Sequence, residues 1–151
     1  MTMLDPYVPA VTDDEQDGID VGEWVSVPTL TFDRAEAVDA VCDAYHDAAA
    51  ENWDGEGAPS ISLRTFIRAC RFMVALPDGT PTPDVDPSPR GSLLFEWHTA
   101  PRRRLTVGVG PSDDLAFAAM LGGLQFHGTT PFDGSRPPAV VDLVHRVVGW
   151  A

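Results

Sequence analysis

Hydrophobic residues recur at every third or fourth position in three stretches of this chain, which is the spacing of amphipathic helices. The stretches span about 33–51 and 62–77, and the third runs from about 137 to near the end of the chain. The first two open on residues that can cap a helix, Asp33 and Ser62, and the third opens on two prolines, which suit a first helical turn. The pattern therefore predicts two N-terminal helices and one C-terminal helix.

Between residues 92 and 128 the period changes to two, which indicates strands with one apolar face. Four segments show this alternation, at about 92–99, 104–109, 115–121 and 124–128. The connections between them are short, so neighbouring strands are expected to be antiparallel. The expected fold is α+β, with two N-terminal helices, a four-stranded antiparallel β-meander and a C-terminal helix packed on one sheet face. The proline-rich crossing before the sheet holds a candidate edge strand at 84–86.

Charge divides the chain into two parts. Residues 1–27 hold no base and seven acids, which are Asp5, Asp13, Asp14, Glu15, Asp17, Asp20 and Glu23. This composition predicts an acidic, flexible N-terminal arm, whose apolar end (Trp24, Val25 and Val27) could pin it to the domain as a short extended piece. Residues 28–151 are expected to form a single α+β domain, because 151 residues are too few for two ordinary domains.

The net charge of −13 at pH 7 restricts the classes of partner. Such a surface repels phosphate, so neither duplex DNA nor an anionic membrane is an expected partner. No apolar run is long enough to span a bilayer and no basic residue precedes Arg34, so we expect no secretion signal and a cytoplasmic location. All ten basic residues are arginine, a bias that either codon usage or a high-salt cytoplasm explains.

The residues best suited to metal binding or catalysis form no complete set. Glu96, His98 and His127 fall on polar positions of the first and fourth predicted strands, which lie about 14 Å apart in a flat meander. Ligands of one metal ion lie about 2 Å from it, so we expect an open polar sheet face, suited to partner binding, and no metal. No catalytic triad or phosphate loop is present, and no catalytic residue or cofactor is assigned. Cys42 and Cys70 are expected to be free, buried thiols.

Six of the ten arginines fall in two clusters. Arg64, Arg68 and Arg71 recur at i, i+4 and i+7 and so form one ridge of the second predicted helix, whereas residues 102–104 crowd a predicted hairpin tip. On one interpretation the ridge pairs with acids of the first helix, such as Asp39, Asp43 and Asp47. On the other, the ridge binds an anionic partner, for which the bidentate guanidinium group is suited.

A glycine-rich loop separates the first two predicted helices. It consists of Asn52, Trp53, Asp54, Gly55, Glu56, Gly57 and Ala58. The glycines permit positive φ, and Asp54 can accept backbone N–H bonds inside the turn. Trp53 is then expected to wedge between the helix pair and the sheet, which makes the loop structural. The alternative is an exposed recognition loop.

The loop, the serine-capped helix, the proline-rich crossing and the Gly-Ser-x-x-x-Glu-Trp segment after it together resemble a group of small uncharacterised prokaryotic and phage proteins. The matching residues are 52–58, Gly91, Ser92, Glu96, Trp97, Gly128 and Phe132. The resemblance covers roughly residues 34–150 and leaves the acidic arm outside. The group has no established activity, so the resemblance implies the domain boundaries and no chemistry.

A chain with a full core and no convergent reactive set is expected to be a non-catalytic partner-binding or accessory protein rather than an enzyme. Another protein is the expected partner, and self-association through the polar sheet face stays open. One alternative is a small enzyme or ligand-binding domain with a pocket near Asp54, Glu96 and His98. Another is an antitoxin-like or immunity protein that neutralises a basic partner.

Overall fold

Three helices and five strands make up the computed structural model, which describes residues 32–149. The helices are α1 (Phe32–Asp47), α2 (Leu63–Ala75) and α3 (Pro138–Val148). The strands are β1 (Asp84–Pro87), β2 (Leu93–Ala100), β3 (Arg103–Val109), β4 (Asp114–Leu121) and β5 (Leu124–Pro131). The predicted arm, 1–27, lies outside the described residues. Within them, no helix is long and apolar enough to cross a bilayer.

The five strands form one antiparallel sheet in which each strand pairs with the next along the chain. The α+β class and the antiparallel sheet are confirmed, but the predicted number of four strands is wrong. The additional strand is β1 in the proline-rich crossing, where Asp84 pairs with Glu96 and Val85 with Phe95. Pro87 ends this strand, and an edge position suits it because proline has no N–H for a strand on its other side.

The core lies between the helices and one face of the sheet. The inward-facing rows of the central strands are buried, and they comprise Leu93, Phe95 and Trp97 on β2 and Leu105, Val107 and Val109 on β3. Phe72 of α2 is completely buried, and its ring centroid lies 5.0 Å from that of Phe95 and 6.0 Å from that of Phe132. Phe72 thus joins α2, the sheet and the segment that follows β5.

The helix ends agree only partly with the sequence prediction. The Ser62 hydroxyl accepts the Thr65 N–H at 3.1 Å and caps α2 as expected. Helix α1, however, already begins at Phe32, so Asp33 is not its cap, and it ends at Asp47 instead of near residue 51. The helix ends earlier because hydrogen bonds from the loop replace those of a further helical turn. The carbonyl of Ala48, for example, accepts the N–H of Ile61 at 2.9 Å.

Candidate functional site

A cleft of about 700 Å³ opens between α2 and residues 131–138, which connect β5 to α3. Its charged lining residues are Arg64, Arg68, Arg71, Asp113, Asp133 and Arg136, and we call it the arginine cleft. Four guanidinium groups face two carboxylates there, which leaves a local excess of positive charge in a chain with a net charge of −13. The three ridge arginines therefore do share one site, and Arg136 joins them.

Helical geometry explains why α2 contributes three of these arginines. Residues three and four apart lie on the same side of a helix, so the ridge runs along one edge of α2. The adjoining side carries the core residues Phe72 and Met73, both buried. The ridge consequently lies at the boundary between core and solvent, where a long side chain can bury its stem.

Arg68 is the buried member of the ridge, with a relative exposure of 8%. Its Nε donates to the carbonyl of Gly110 at 3.1 Å, and its Nη1 donates to the carbonyl of Phe132 at 3.4 Å. The guanidinium carbon lies 5.5 Å from the centroid of the Phe132 ring, within the range of a cation–π contact. Its Nη2 is buried and has no hydrogen-bond partner within residues 32–149. Arg68 is thus held rigidly while one strong donor stays unused.

The other two ridge arginines are exposed and do not bind the acids of α1. Arg64 donates from Nε to the carbonyl of Pro111 at 2.7 Å and from Nη2 to Asp113 at 3.1 Å. Both side chains of that ion pair are mostly exposed, so it contributes at most about 1 kcal/mol. Arg71 makes no hydrogen bond or ion pair to any described residue. The interpretation that α1 neutralises the ridge therefore finds no support in the described part of the chain.

The far wall of the cleft is a turn that starts at Asp133. The Asp133 carboxylate accepts the backbone N–H of Ser135 at 2.9 Å, and this bond lowers the pKa of Asp133. Arg136 lies in the same segment and donates from Nε to the carbonyl of Ala75, near the end of α2, at 3.3 Å. The turn and the helix are thereby connected across the cleft.

Glu96, His98 and His127 lie on the sheet face that points away from the helices, and they do not meet. The strand register places Glu96, Thr106, Ala118 and His127 in one row across β2, β3, β4 and β5. Three strand spacings separate the ends of that row, which corresponds to about 14 Å. The Glu96 carboxylate instead forms an ion pair with Arg104, whose Nε lies 2.8 Å from Oε2 of Glu96.

The glycine-rich loop bonds mainly to itself. Asn52 has a positive φ of 61°, and one carboxylate oxygen of Asp54 accepts the N–H groups of Glu56 at 2.8 Å and Ala58 at 3.0 Å. These two bonds, that of Glu56 first, lower the pKa of Asp54. Trp53 packs partly buried against the core and donates from Nε1 to the carbonyl of Pro59 at 2.8 Å. Asp54 thus lies on the helix side, whereas Glu96 and His98 lie on the opposite face of the sheet.

Sequence reasoning missed two arginines with structural roles. Arg103 donates from Nε to the carbonyl of Val147 at 3.1 Å and from Nη2 to that of Arg146, so it binds the last turn of α3. Arg34 is 7% exposed and donates to the carbonyl of Leu76 while pairing with Asp78 at 2.9 Å. Neither role has a local signal, because every acceptor lies more than 40 residues away in the chain.

Known proteins give no guide to this site, since no family profile, no curated protein and no solved structure matches the chain. The resemblance to an uncharacterised group of prokaryotic and phage proteins therefore stays a prediction. A function has to be argued from the geometry of the arginine cleft.

Proposed function

We propose that this protein is a non-catalytic binding protein whose arginine cleft takes a carboxylate-rich segment of a partner protein. The observation that carries the proposal is the state of Arg68. Two of its three guanidinium nitrogens bond to main-chain carbonyls, and the third is a buried donor without a partner among the described residues. An unsatisfied buried donor costs about 1–3 kcal/mol, and an oxyanion would relieve that cost.

The surroundings of Arg68 suit a carboxylate ligand. A guanidinium group binds carboxylate through two parallel bonds, and one that is already held in place loses little conformational freedom on binding. Its Nη2 is screened from solvent, so the proposal requires a local rearrangement around Arg68 before a carboxylate reaches this atom. Arg71 and Arg136 are exposed and positioned to receive the ligand first. A volume of about 700 Å³ accommodates several side chains.

A protein partner fits this surface better than a nucleic acid does. A long polyphosphate would have to lie against much of a surface whose net charge is −13, and the resulting repulsion grows with the length of the ligand. A short acidic segment needs only the cleft. Its interaction with four arginines is local, since charges more than a Debye length away are screened at physiological salt, at about 8 Å.

The two alternative functions have weaker support. The pocket alternative needs Asp54, Glu96 and His98 together, but Asp54 lies on the helix side and the other two lie on the open sheet face. Neutralisation of a basic partner would use the acidic cleft between α1 and β1, which Glu36 and Asp43 help to line. That cleft contains no buried, unpaired group comparable with Arg68 among the described residues.

Titration of the full chain with a hexa-aspartate peptide tests the proposal. We expect Arg71→Ala with Arg136→Ala to weaken binding about tenfold or more, because each charged contact in such a site contributes about 1 kcal/mol or more. Arg102→Ala with Arg90→Ala is the matched control, since it removes two exposed arginines outside the cleft and should change affinity little.

Arg68→Lys provides the geometric test of the same site. Lysine keeps the positive charge but lacks the planar fork, so we expect weaker binding at unchanged net charge. Equal affinities for the wild type and the cleft variants would overturn the proposal, as would an equal loss in the control pair. Circular dichroism of each variant verifies that the chain is folded.

A further inference from the structure

A row of apolar side chains runs along α2 beside the arginine ridge. Leu63, Ile67 and Cys70 each come one position before a ridge arginine, and Val74 continues the row at the same spacing. One position is a rotation of about 100° on a helix, so the two rows lie side by side. Leu63 and Ile67 are 60% and 41% exposed, and they are two of the four exposed large hydrophobic residues in the described chain. Neighbouring apolar side chains that are left in water beside charged ones mark a surface for binding.

The apolar row borders a groove that opens into the arginine cleft. The groove has a volume of about 320 Å³ and is lined by Phe66, Ile67, Cys70, Arg71, Val74 and Gly134. Arg71 and Gly134 line both cavities, so the two are contiguous. Gly134 keeps their boundary open, because it has no side chain and its φ of 100° favours glycine. A Cβ atom added there would meet no other atom within 4 Å. One ligand can therefore extend from the cleft into the groove.

The chemistry of the groove differs from that of the cleft. Arg71 is the one charged residue among its described lining residues. The Phe66 ring is held in place by the Tyr45 ring of α1, which stacks on it with 4.5 Å between centroids. Burial, with Cys42 as the smaller cause, raises the pKa of the Cys70 thiol, so this lining group is neutral at pH 7. The groove therefore suits an aliphatic or aromatic side chain, whereas the cleft suits a carboxylate.

An extended ligand can use both cavities at once. Successive side chains of an extended chain point in opposite directions, so a segment that lies along the boundary at Arg71 directs one side chain into the cleft and the next into the groove. Side chains on the same side of such a segment are about 6.7 Å apart, and one turn of α2 is about 5.4 Å long. Each two-residue repeat of the ligand thus corresponds approximately to one turn of the helix beneath it.

We propose that the partner segment is an extended one in which carboxylates alternate with large aliphatic or aromatic side chains. Its carboxylates bind Arg71 and Arg136 and, after the local rearrangement, Arg68. Its apolar side chains contact Ile67 and Val74 in the groove. The inference rests on the proposed function, because it requires the arginine cleft to bind carboxylates. Its consequence is selectivity: negative charge brings a segment to the cleft, and the apolar side chains decide which acidic segment binds tightly.

Two peptides of equal charge test the selectivity, Asp-Leu-Asp-Leu-Asp and Asp-Ser-Asp-Ser-Asp, both with blocked termini and both titrated against the full chain. We expect the wild type to bind the leucine peptide about tenfold more tightly, because its apolar side chains partly leave water in the groove. Ile67→Ser should reduce this preference to about threefold or less and leave the affinity for the serine peptide unchanged. Leu124→Ser is the matched control, since it removes an exposed leucine outside both cavities and should keep the full preference. Circular dichroism verifies that both variants are folded.

Other results separate the two proposals. If both peptides bind the wild type equally well, and Arg71→Ala with Arg136→Ala weakens both, the selectivity is overturned and the binding function stands. A preference for leucine that persists in Ile67→Ser, or that Leu124→Ser abolishes to the same extent, overturns the role of the groove. If neither peptide binds the wild type, both proposals are overturned.

Discussion

Five arginines of the described chain donate to main-chain carbonyl oxygens far away in sequence, and they are Arg34, Arg64, Arg68, Arg103 and Arg136. Three of them, Arg34, Arg103 and Arg136, bind at the ends of helices, where the last carbonyls lack partners within the helix and attract positive charge. At the residue scale, an arginine in this protein is thus as much a structural connector as a surface charge. Arg68 combines both roles, because it anchors the end of β3 and the β5–α3 connection while retaining a donor for a ligand.

Asp54 leads to a prediction about pH. Its pKa is lowered from the usual 3.8 by the N–H groups of Glu56 and Ala58, so the ionised form stabilises the folded loop. That stabilisation is present above the unfolded pKa, near 3.8, and is lost as the pH falls through the lower folded pKa. We expect Asp54→Asn to be less stable than the wild type at pH 7, with a difference that shrinks below pH 3.8, as measured by urea unfolding from neutral to strongly acidic pH.

Asp86→Asn is a suitable control for this experiment, since Asp86 is an exposed residue of the edge strand β1. A stability difference between Asp54→Asn and the wild type that stays constant over the whole pH range would contradict the assignment.

At the scale of elements, β5 depends on its contact with β4, because the helices cover its inner face only thinly. Helix α3 packs against β2, β3 and β4, so the inner face of β5 is only thinly covered, and Leu124 and Phe126 are 67% and 38% exposed. Phe117 of β4 lies directly across from Gly128 of β5 and covers the backbone there. The sequence predicted that β5 ends at Gly128, but it continues to Pro131, which pairs with Asp114. The glycine permits the close approach of a ring and does not break the strand.

Gly128→Ala tests this contact. A Cβ atom at residue 128 would lie 3.1 Å from Cζ of Phe117, so the ring or the strand has to shift. We expect a loss of about 1–3 kcal/mol in the free energy of unfolding, as is usual for overpacking. Phe117→Leu should reduce that loss in the double variant, which a double-mutant cycle in urea measures.

Gly123→Ala is the matched control in the turn before β5. A Cβ atom added at residue 123 would meet no other atom within 4 Å, and the backbone of Gly123 lies outside the left-handed region. We expect Gly123→Ala to be neutral or slightly stabilising, because alanine restricts the unfolded chain more than glycine does. Equal losses for Gly128→Ala and Gly123→Ala would show that contact with the Phe117 ring does not explain the cost.

On the scale of the whole molecule, one aromatic cluster holds the helix layer, the sheet and the cleft together. Phe72 contacts Phe95 and Trp97 on β2 and Phe132 beyond β5. Phe132 in turn supports Arg68 through its ring and its carbonyl. The shape of the cleft thus depends on the core directly beneath it.

We therefore expect Phe72→Ala to lower the free energy of unfolding more than most single substitutions do. Removal of a fully buried phenylalanine lowers the free energy of unfolding by about 3–5 kcal/mol, through lost burial and the cavity left behind. Leu63→Ala on the same helix is the control, since Leu63 is 60% exposed and its loss should be well below that of Phe72. Guanidinium unfolding of both variants makes the comparison, and similar losses would contradict this account of the core.

Residue patterning by itself determined the α+β class, the approximate position of each helix and the alternation of buried and more exposed side chains along β2, β3 and β4. These are local properties, because a side-chain period of 3.6 or 2 can be recognised within a dozen residues. The pattern also predicted that Arg64, Arg68 and Arg71 share one ridge, since residues spaced by three and four lie on the same face of a helix.

Only the tertiary structure decided which ridge arginine is buried and that Arg136 completes the cleft. Each depends on partners far apart in the chain: Arg68 binds the carbonyls of Gly110 and Phe132, which are 42 and 64 residues away, and Arg136 binds that of Ala75, which is 61 residues away. No local pattern specifies such pairs, because they form only when the helices pack on the sheet and bring remote main-chain acceptors within reach of a long side chain.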